Sequence, residues 1–504
     1  MCSTMTSNQL PTSTTLYTQY PSLSHIPICL LPSMAKLSSF STFLFFITLV
    51  YFLAVSHQQP LLNSAEQESV YEVLSSINSA IPWRTLFPDD LCLSAPHGVV
   101  CDYFVEQQNS RNVSSSTDPV ETAHITELSF GYVSDYTPNP PCSPNSTLNP
   151  LLFTSFKFLR KLFFYKCFTE TPVSVPNVSL SSFGATLEEL VFIENPAFIG
   201  SLSGIIGNFT NLRRLVLTGN GVYGNIPDVI GDLLSMEEIT LSRNQLAGGV
   251  PSSLAKLKKL RVLDLSQNHF DGTVPESIGN LSQILKLDLS SNGFFGKIPH
   301  SLVNLQSLEF LDLSFNHFGN VGVPLFLGEM PRLREIYLSG NLLGGHIPEI
   351  WEKLGGISGI GFSNMGLVGK IPSSMGVHLR NLCYLRLDNN NLEGKVPEEL
   401  GFLEFVNEIN LENNNLSGKI PFTANFTAKI GEKLKLKGNS RLCVDQDLGN
   451  LGQLHFCNKS KIANSALFKQ SNTNSASSLS PVLQVLSSFS YGLLILGSYF
   501  CLLW

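Results

Sequence analysis

Between residues 190 and 443 the hydrophobic and polar positions recur with a period of 24 or 25 residues. In the clearest copy Leu263 and Leu265 alternate with Asp264 and Ser266, and the run continues through Asn268, Phe270, Gly272, Val274 and Pro275. Alternation of period two predicts a strand with one buried face. A unit this short has no core of its own, so neighbouring units must stack and share one. One polar slot recurs in every copy but one: Asn195, Asn220, Asn244, Asn268, Asn292, Asn316, Asn341, Asn390, Asn414 and Asn439, with Met365 breaking the series. The asparagine stands where the chain leaves the strand. Its amide suits backbone groups that stacking would otherwise bury unpaired. At ~4.8 Å per strand, the stacked copies predict a parallel sheet roughly 50 Å long.

The frame L-x-x-L-x-L-x-x-N-x-L is the leucine-rich repeat, and it predicts an α/β solenoid. Several copies continue as G-x-I/V-P, at 224–227, 296–299, 369–372, 394–397 and 418–421. In this they resemble the plant-specific class of the repeat. That resemblance implies a plant-type leucine-rich-repeat superhelix with a second short strand in each coil.

The flanks divide the rest of the chain. Residues 1–33 carry no Asp, Glu, Lys or Arg and no periodicity, and read as a gene-model extension ahead of a start at Met34. Lys36, an apolar run from Phe43 to Ala54, and then small residues predict a signal peptide over 34–56. An N-terminal cap and atypical first coils fill 57–185, where Val70, Val73, Leu74 and Ile77 share one helical face. Residues 103–124 are polar and predict a solvated loop, with strands following at 124–130 and 159–164. Regular repeats occupy 186–442, a C-terminal cap 443–460, and a flexible stalk rich in Ser and Asn 461–481. The last stretch, 482–504, is uncharged and apolar, which predicts a GPI-anchor signal, with a transmembrane helix as the alternative.

Three further features narrow the resemblance. Glu66, Gln67, Val70 and Tyr71, the run 162–167, and the run 361–367 with methionine in the asparagine slot resemble one branch of plant kinase-less leucine-rich-repeat receptor-like proteins. That branch holds the Piriformospora indica-insensitive group and TOO MANY MOUTHS. Between Cys92 and Cys101 the usual cap aromatic is missing. Proximity and the resemblance imply disulfides Cys92–Cys101, Cys142–Cys167 and Cys443–Cys457, giving disulfide-bearing caps at both ends. Cys383 is expected as a buried free thiol. Sequons at Asn112, Asn145, Asn177, Asn208, Asn280, Asn415, Asn425 and Asn458 fit passage through the secretory pathway to the extracellular face of the plasma membrane.

Candidate chemistry is sparse. A net charge of −7 disfavours nucleic acid as a partner. The sequence contains no kinase motif set, no phosphate-binding loop, no H-E-x-x-H and no G-x-S-x-G, so the expectation is a non-enzyme without metal or cofactor. A binding surface remains. Residues between the strand leucines form columns along the concave face, and Phe310, Tyr337, Tyr384 and Arg386 are of the types that dominate interfaces. With Glu335 and Asp388 they surround Gly359 and Gly361, which predicts a shallow hollow for a ligand. Asp264, Asp288 and Asp312 read as repeat consensus on the solvent face. The coil edges and the irregular stretch 316–331 are the alternative sites. The function expected is a membrane-attached receptor-like protein or co-receptor that binds a secreted peptide or a receptor-kinase ectodomain. The resemblance implies plant signalling: a response to a root endophyte from the Piriformospora indica-insensitive group, or development from TOO MANY MOUTHS. The alternative is a soluble inhibitor of a secreted microbial cell-wall hydrolase.

Overall fold

The repeated leucines close into one sheet of 14 strands, and in the computed structural model neighbouring coils pair in strict register. The residues described are 60–457 apart from 95, 97, 107–119, 134–138, 176–182, 205, 207–208 and 449–453. The expected extension, signal peptide, stalk and apolar tail lie outside the described residues, as do the sequons at Asn112, Asn177, Asn208 and Asn458. Everything described falls within the unit that ends at Cys457.

The sheet opens with β1 (Val99–Glu106) antiparallel to β2 (Val120–Phe130), and β3 (Lys161–Tyr165) then adds in parallel. Next come β4 (Glu189–Ile193), β5 (Arg214–Thr218), β6 (Glu238–Thr240) and β7 (Val262–Asp264). After them come β8 (Lys286–Asp288), β9 (Phe310–Asp312), β10 (Glu335–Tyr337) and β11 (Gly359–Gly361). The sheet ends with β12 (Tyr384–Arg386), β13 (Glu408–Asn410) and β14 (Leu434–Lys435). Leu263, Leu287, Leu311 and Ile336 lie side by side in four successive strands, all at 0% exposure. Here the periodicity of the sequence becomes the core.

Each coil is held to the next by its asparagine. The Asn268 amide donates to the carbonyls of Leu241, Leu265 and Ser266 at 2.9, 3.1 and 3.0 Å, and its Oδ1 accepts from Leu246 N at 3.0 Å. Asn316 repeats the pattern two coils later. Met365 cannot donate or accept in this way. The next asparagine compensates, since Asn390 Oδ1 accepts from both Met365 N and Leu367 N, each at 3.0 Å. The methionine is fully buried in the same core as Trp351 and Phe362.

A proline ends the G-x-I/V-P motif and precedes a 3-10 helix, as at Pro227 before Asp228–Asp232 and Pro275 before Glu276–Asn280. Its fixed φ presets the chain to enter that turn. Short second strands pair along the flank, in separate sheets of five, two and five strands rather than one. The breaks bracket the irregular stretch, where Gly319–Leu342 is a single isolated bridge.

At the N-terminus the helix α1 (Ser64–Ile77) starts at Asn63, whose side chain accepts from Ala65 N. It buries Val70, Val73, Leu74 and Ile77, and Glu66 locks it to the sheet. Glu66 Oε1 lies 2.8 Å from His124 Nδ1, and Oε2 accepts from Ile125 N at 3.1 Å. The solvated loop expected at 103–124 is shorter than that, because β1 runs on to Glu106 and β2 begins at Val120. Pairing of Tyr103 with Ala123 and of Val105 with Glu121 satisfies that backbone despite its polar surroundings.

Disulfides join Cys92 to Cys101, Cys142 to Cys167, and Cys443 to Cys457. Cys383, expected as a free thiol, is itself disulfide-bonded. The expected burial holds, with Cys383 only 7% exposed. None of the helices among the described residues is long and apolar enough to cross a membrane.

Candidate ligand-binding face

Strand pairing sets the columns of the concave face. Phe310, Glu335, Gly359 and Tyr384 stand in one row across β9 to β12, and Asp312, Tyr337, Gly361 and Arg386 in the next. The six expected binding residues are therefore brought to one surface, with Asp388 two positions past the end of β12. The hollow between them is not there. Tyr337 fills it: a Cβ added at Gly361 would sit 2.6 Å from Tyr337 Cδ1, and one at Gly359 would sit 2.7 Å from Tyr337 Oη. A planar ring beside two residues without side chains gains burial by falling across them. The Tyr337 hydroxyl donates to Glu335 Oε2 at 2.8 Å, and its ring meets Phe310 at 5.7 Å between centroids. Burial, and then the Glu335 carboxylate, push the Tyr337 pKa far above its usual value.

Arg386 is the most open member, with its side chain 55% exposed. It is not unpaired, because one guanidinium nitrogen lies 3.2 Å from Glu408 Oε2 and Lys435 approaches the other oxygen at 3.0 Å. Burial alone would raise the Glu408 pKa, but Lys435 and Arg386 outweigh it and hold the carboxylate below its ordinary value. A guanidinium has five donors, so most of the fork still faces outward. Asp388 is more tightly held, accepting from Ser363 Oγ and Asn389 Nδ2, each at 2.6 Å. The half-buried Tyr384 places its hydroxyl where no partner is found among the described residues.

Sequence reasoning took the aspartate column for exposed consensus, and the structure corrects this. Asp264 and Asp288 are buried at 8% and 9% exposure. Each aspartate of the column folds back on the serine two residues on: Asp288 Oδ1 accepts from Ser290 N at 3.1 Å and from Ser290 Oγ at 2.7 Å. Lys286 reaches Asp264 at 2.8 Å and Asp288 at 3.8 Å, and sits 5.4 Å over the Phe310 ring. Burial followed by the charge of Asp264 raises the Asp288 pKa. Burial and the Asp288 charge push Asp312 up to about 7. Strand spacing carried the missing signal, since identical residues one coil apart stand only ~4.8 Å from each other.

Sheet, asparagine ladder and concave columns together define a leucine-rich-repeat protein. Family models described as leucine rich repeat match residues 210–270, and again 283–305, 332–354 and 381–403. The chain is similar to Protein TOO MANY MOUTHS of Arabidopsis thaliana, at 33% identity over 148 residues, covering 29% of this chain and 26% of that protein. It is also similar to Piriformospora indica-insensitive protein 2 of Arabidopsis thaliana, at 34% identity over 161 residues, covering 32% of this chain and 34% of that one. The chain is thus similar to plant leucine-rich-repeat receptor-like proteins, and each match spans only 26–37% of the relative's length. In fold it resembles the crystal structure of PEPR1-AtPEP1, with a TM-score of 0.55 at 24% identity over 76% of this chain and 52% of that one.

Proposed function

We propose that this chain is a cell-surface receptor-like protein that binds a secreted peptide or a receptor-kinase ectodomain and leaves cytoplasmic output to that partner. The observation that carries the reading is the Arg386 fork, 55% exposed on a rigid sheet, two residues beyond Tyr384 on β12 and two strands along its row from Tyr337. Such a fork can hold a ligand carboxylate by two parallel hydrogen bonds while the aromatic neighbours supply area at little entropic cost. The similarity to two plant proteins of this kind supports the role. The second relative's name favours a response to a root endophyte as the pathway. Attachment at the extracellular face through 482–504, as a GPI signal or a membrane helix, belongs to the same reading, as does N-glycosylation at the described sequons Asn145, Asn280, Asn415 and Asn425. The test is capture of a panel of purified receptor-kinase ectodomains and synthetic secreted peptides on the immobilised full-length protein. Arg386→Ala and Tyr384→Ala should each weaken the capture by ~2 kcal/mol if they are central to the interface. The reading fails if wild type captures nothing, or if both variants capture as well as wild type.

A further inference from the structure

A second surface on the same sheet lies closer to the N-terminus. Phe163, Val191 and Val216 stand side by side on β3, β4 and β5, as do Tyr165, Ile193 and Thr218. The three aliphatic residues are buried at 4–8% exposure, yet they form a cluster separate from the solenoid core, with the half-buried Phe163 and Tyr165 packed over it. Concave positions in the later coils are mostly polar, so this apolar patch is not a consequence of the repeat. Its borders are already neutralised. On one side Arg214 lies 3.0 Å from Glu189 and 2.8 Å from Glu238, and on the other Arg243 pairs with Glu194.

Further along the same rows the chemistry changes. Val216 and Thr240 are followed in register by Asp264, Asp288 and Asp312. Among the described residues a single lysine, Lys286, makes ion pairs with this column, and it reaches only the first two. The far end, Asp312, stands in register beside Tyr337, whose ring meets that of Phe310. Acidic groups with aromatic faces beside them suit a cation, as Lys286 already shows over Phe310. From Val216 to Asp312 is four strand steps, ~19 Å at ~4.8 Å each, or about six residues of extended chain.

We propose that β3 to β9 of the concave face bind an extended peptide that places an apolar side chain on the Phe163–Tyr165–Val216 patch and a lysine or arginine about six residues away on Asp288 and Asp312. This rests on the receptor-like reading above and names the ligand class, at a place distinct from Arg386. Apolar burial would supply the anchor, and the under-compensated carboxylates would fix direction and spacing.

The test is selection of a random decapeptide library on the purified full-length protein, followed by direct titration of the enriched peptides. The expected result is enrichment of an apolar residue and a basic residue at that spacing. Asp312→Asn and Tyr165→Ser should each weaken the enriched peptides at least tenfold, whereas Lys256→Ala on the far side of the coils leaves them unchanged. Asp312→Asn keeps the acceptor for Ser314, so folding is preserved, and circular dichroism checks both variants. Enrichment of peptides without a basic residue, no enrichment at all, or undiminished binding by both variants overturns the inference. Peptides that depend on Arg386 but not on Tyr165 or Asp312 would sink it too, while leaving the broader receptor reading standing.

Discussion

The Tyr337 ring lies across Gly361, so closely that a single added Cβ would come within 2.6 Å of its Cδ1 atom. The two residues are partners in adjacent strands, and the glycine supplies the space the ring needs. Gly361→Ala should therefore displace the ring and destabilise the protein by ~1–3 kcal/mol, the usual range for overpacking. Adding Tyr337→Ala should recover part of that loss, because the closest clash is with the ring, with Ser339 Oγ next at 3.2 Å. Chemical denaturation of the single and double variants measures the coupling. Strict additivity would show that ring and glycine are independent.

Leu287→Ala removes a fully buried side chain with coils packed on both sides. The expected loss is ~2–5 kcal/mol, seen as a large fall in the secreted yield and in the denaturation midpoint. Its neighbour behaves differently. Asp288→Asn keeps the acceptor for Ser290 and removes a charge that burial and Asp264 disfavour. At pH 7.5 it should be neutral or stabilising, and a loss comparable to Leu287→Ala would reverse the assignment of the two faces.

Stability should also depend on pH through the aspartate column. Asp312 holds its proton up to about 7 in the folded chain, against an ordinary value of 3.8. A raised carboxyl pKa stabilises the fold most below the unfolded value, and that contribution is lost as pH rises through the folded one. The thermal midpoint should accordingly be higher at pH 5 than at pH 7.5. Asp312→Asn should flatten the difference. Calorimetry at the two values gives the answer, and a midpoint that rises toward pH 7.5 with or without Asp312 would contradict it.

Asn390 should be more sensitive to truncation than the regular ladder asparagine Asn316. Its Oδ1 serves two amides, Met365 N and Leu367 N, where Asn316 Oδ1 serves one, Phe294 N. Its amide also donates to Phe362, Leu387 and Asp388 carbonyls at 2.7, 3.0 and 3.2 Å. Each unmade buried bond costs ~1–3 kcal/mol. Asn390→Ala should thus lower the urea midpoint further than Asn316→Ala does, and equal losses would show that Met365 needs no such compensation.

The solenoid was legible because its signal is spacing. A period of 24 or 25 residues with leucines at fixed offsets fixes which strand follows which and which side chains turn inward. Columns follow from register, so Phe310, Tyr337, Tyr384 and Arg386 could be brought to one face from the sequence alone. What spacing does not contain is the direction in which a side chain leans. Two glycines next to a tyrosine read equally well as an empty hollow or as a seat for its ring, and packing chose the seat. The aspartate column was misjudged for a related reason. Each L-D-L-S copy looks exposed by itself, and only stacking shows three carboxylates in a column with one lysine that pairs with just two of them.

Parallel register has a further consequence for how such a surface can change over generations. Each coil adds one strand to the sheet, so the concave face is graduated in ticks of ~4.8 Å. Duplication or loss of one coil between Val216 and Asp312 would leave every side chain's chemistry intact and move the apolar patch one tick relative to the carboxylates. The face is in that sense a ruler, and its selectivity can be retuned by length as readily as by substitution.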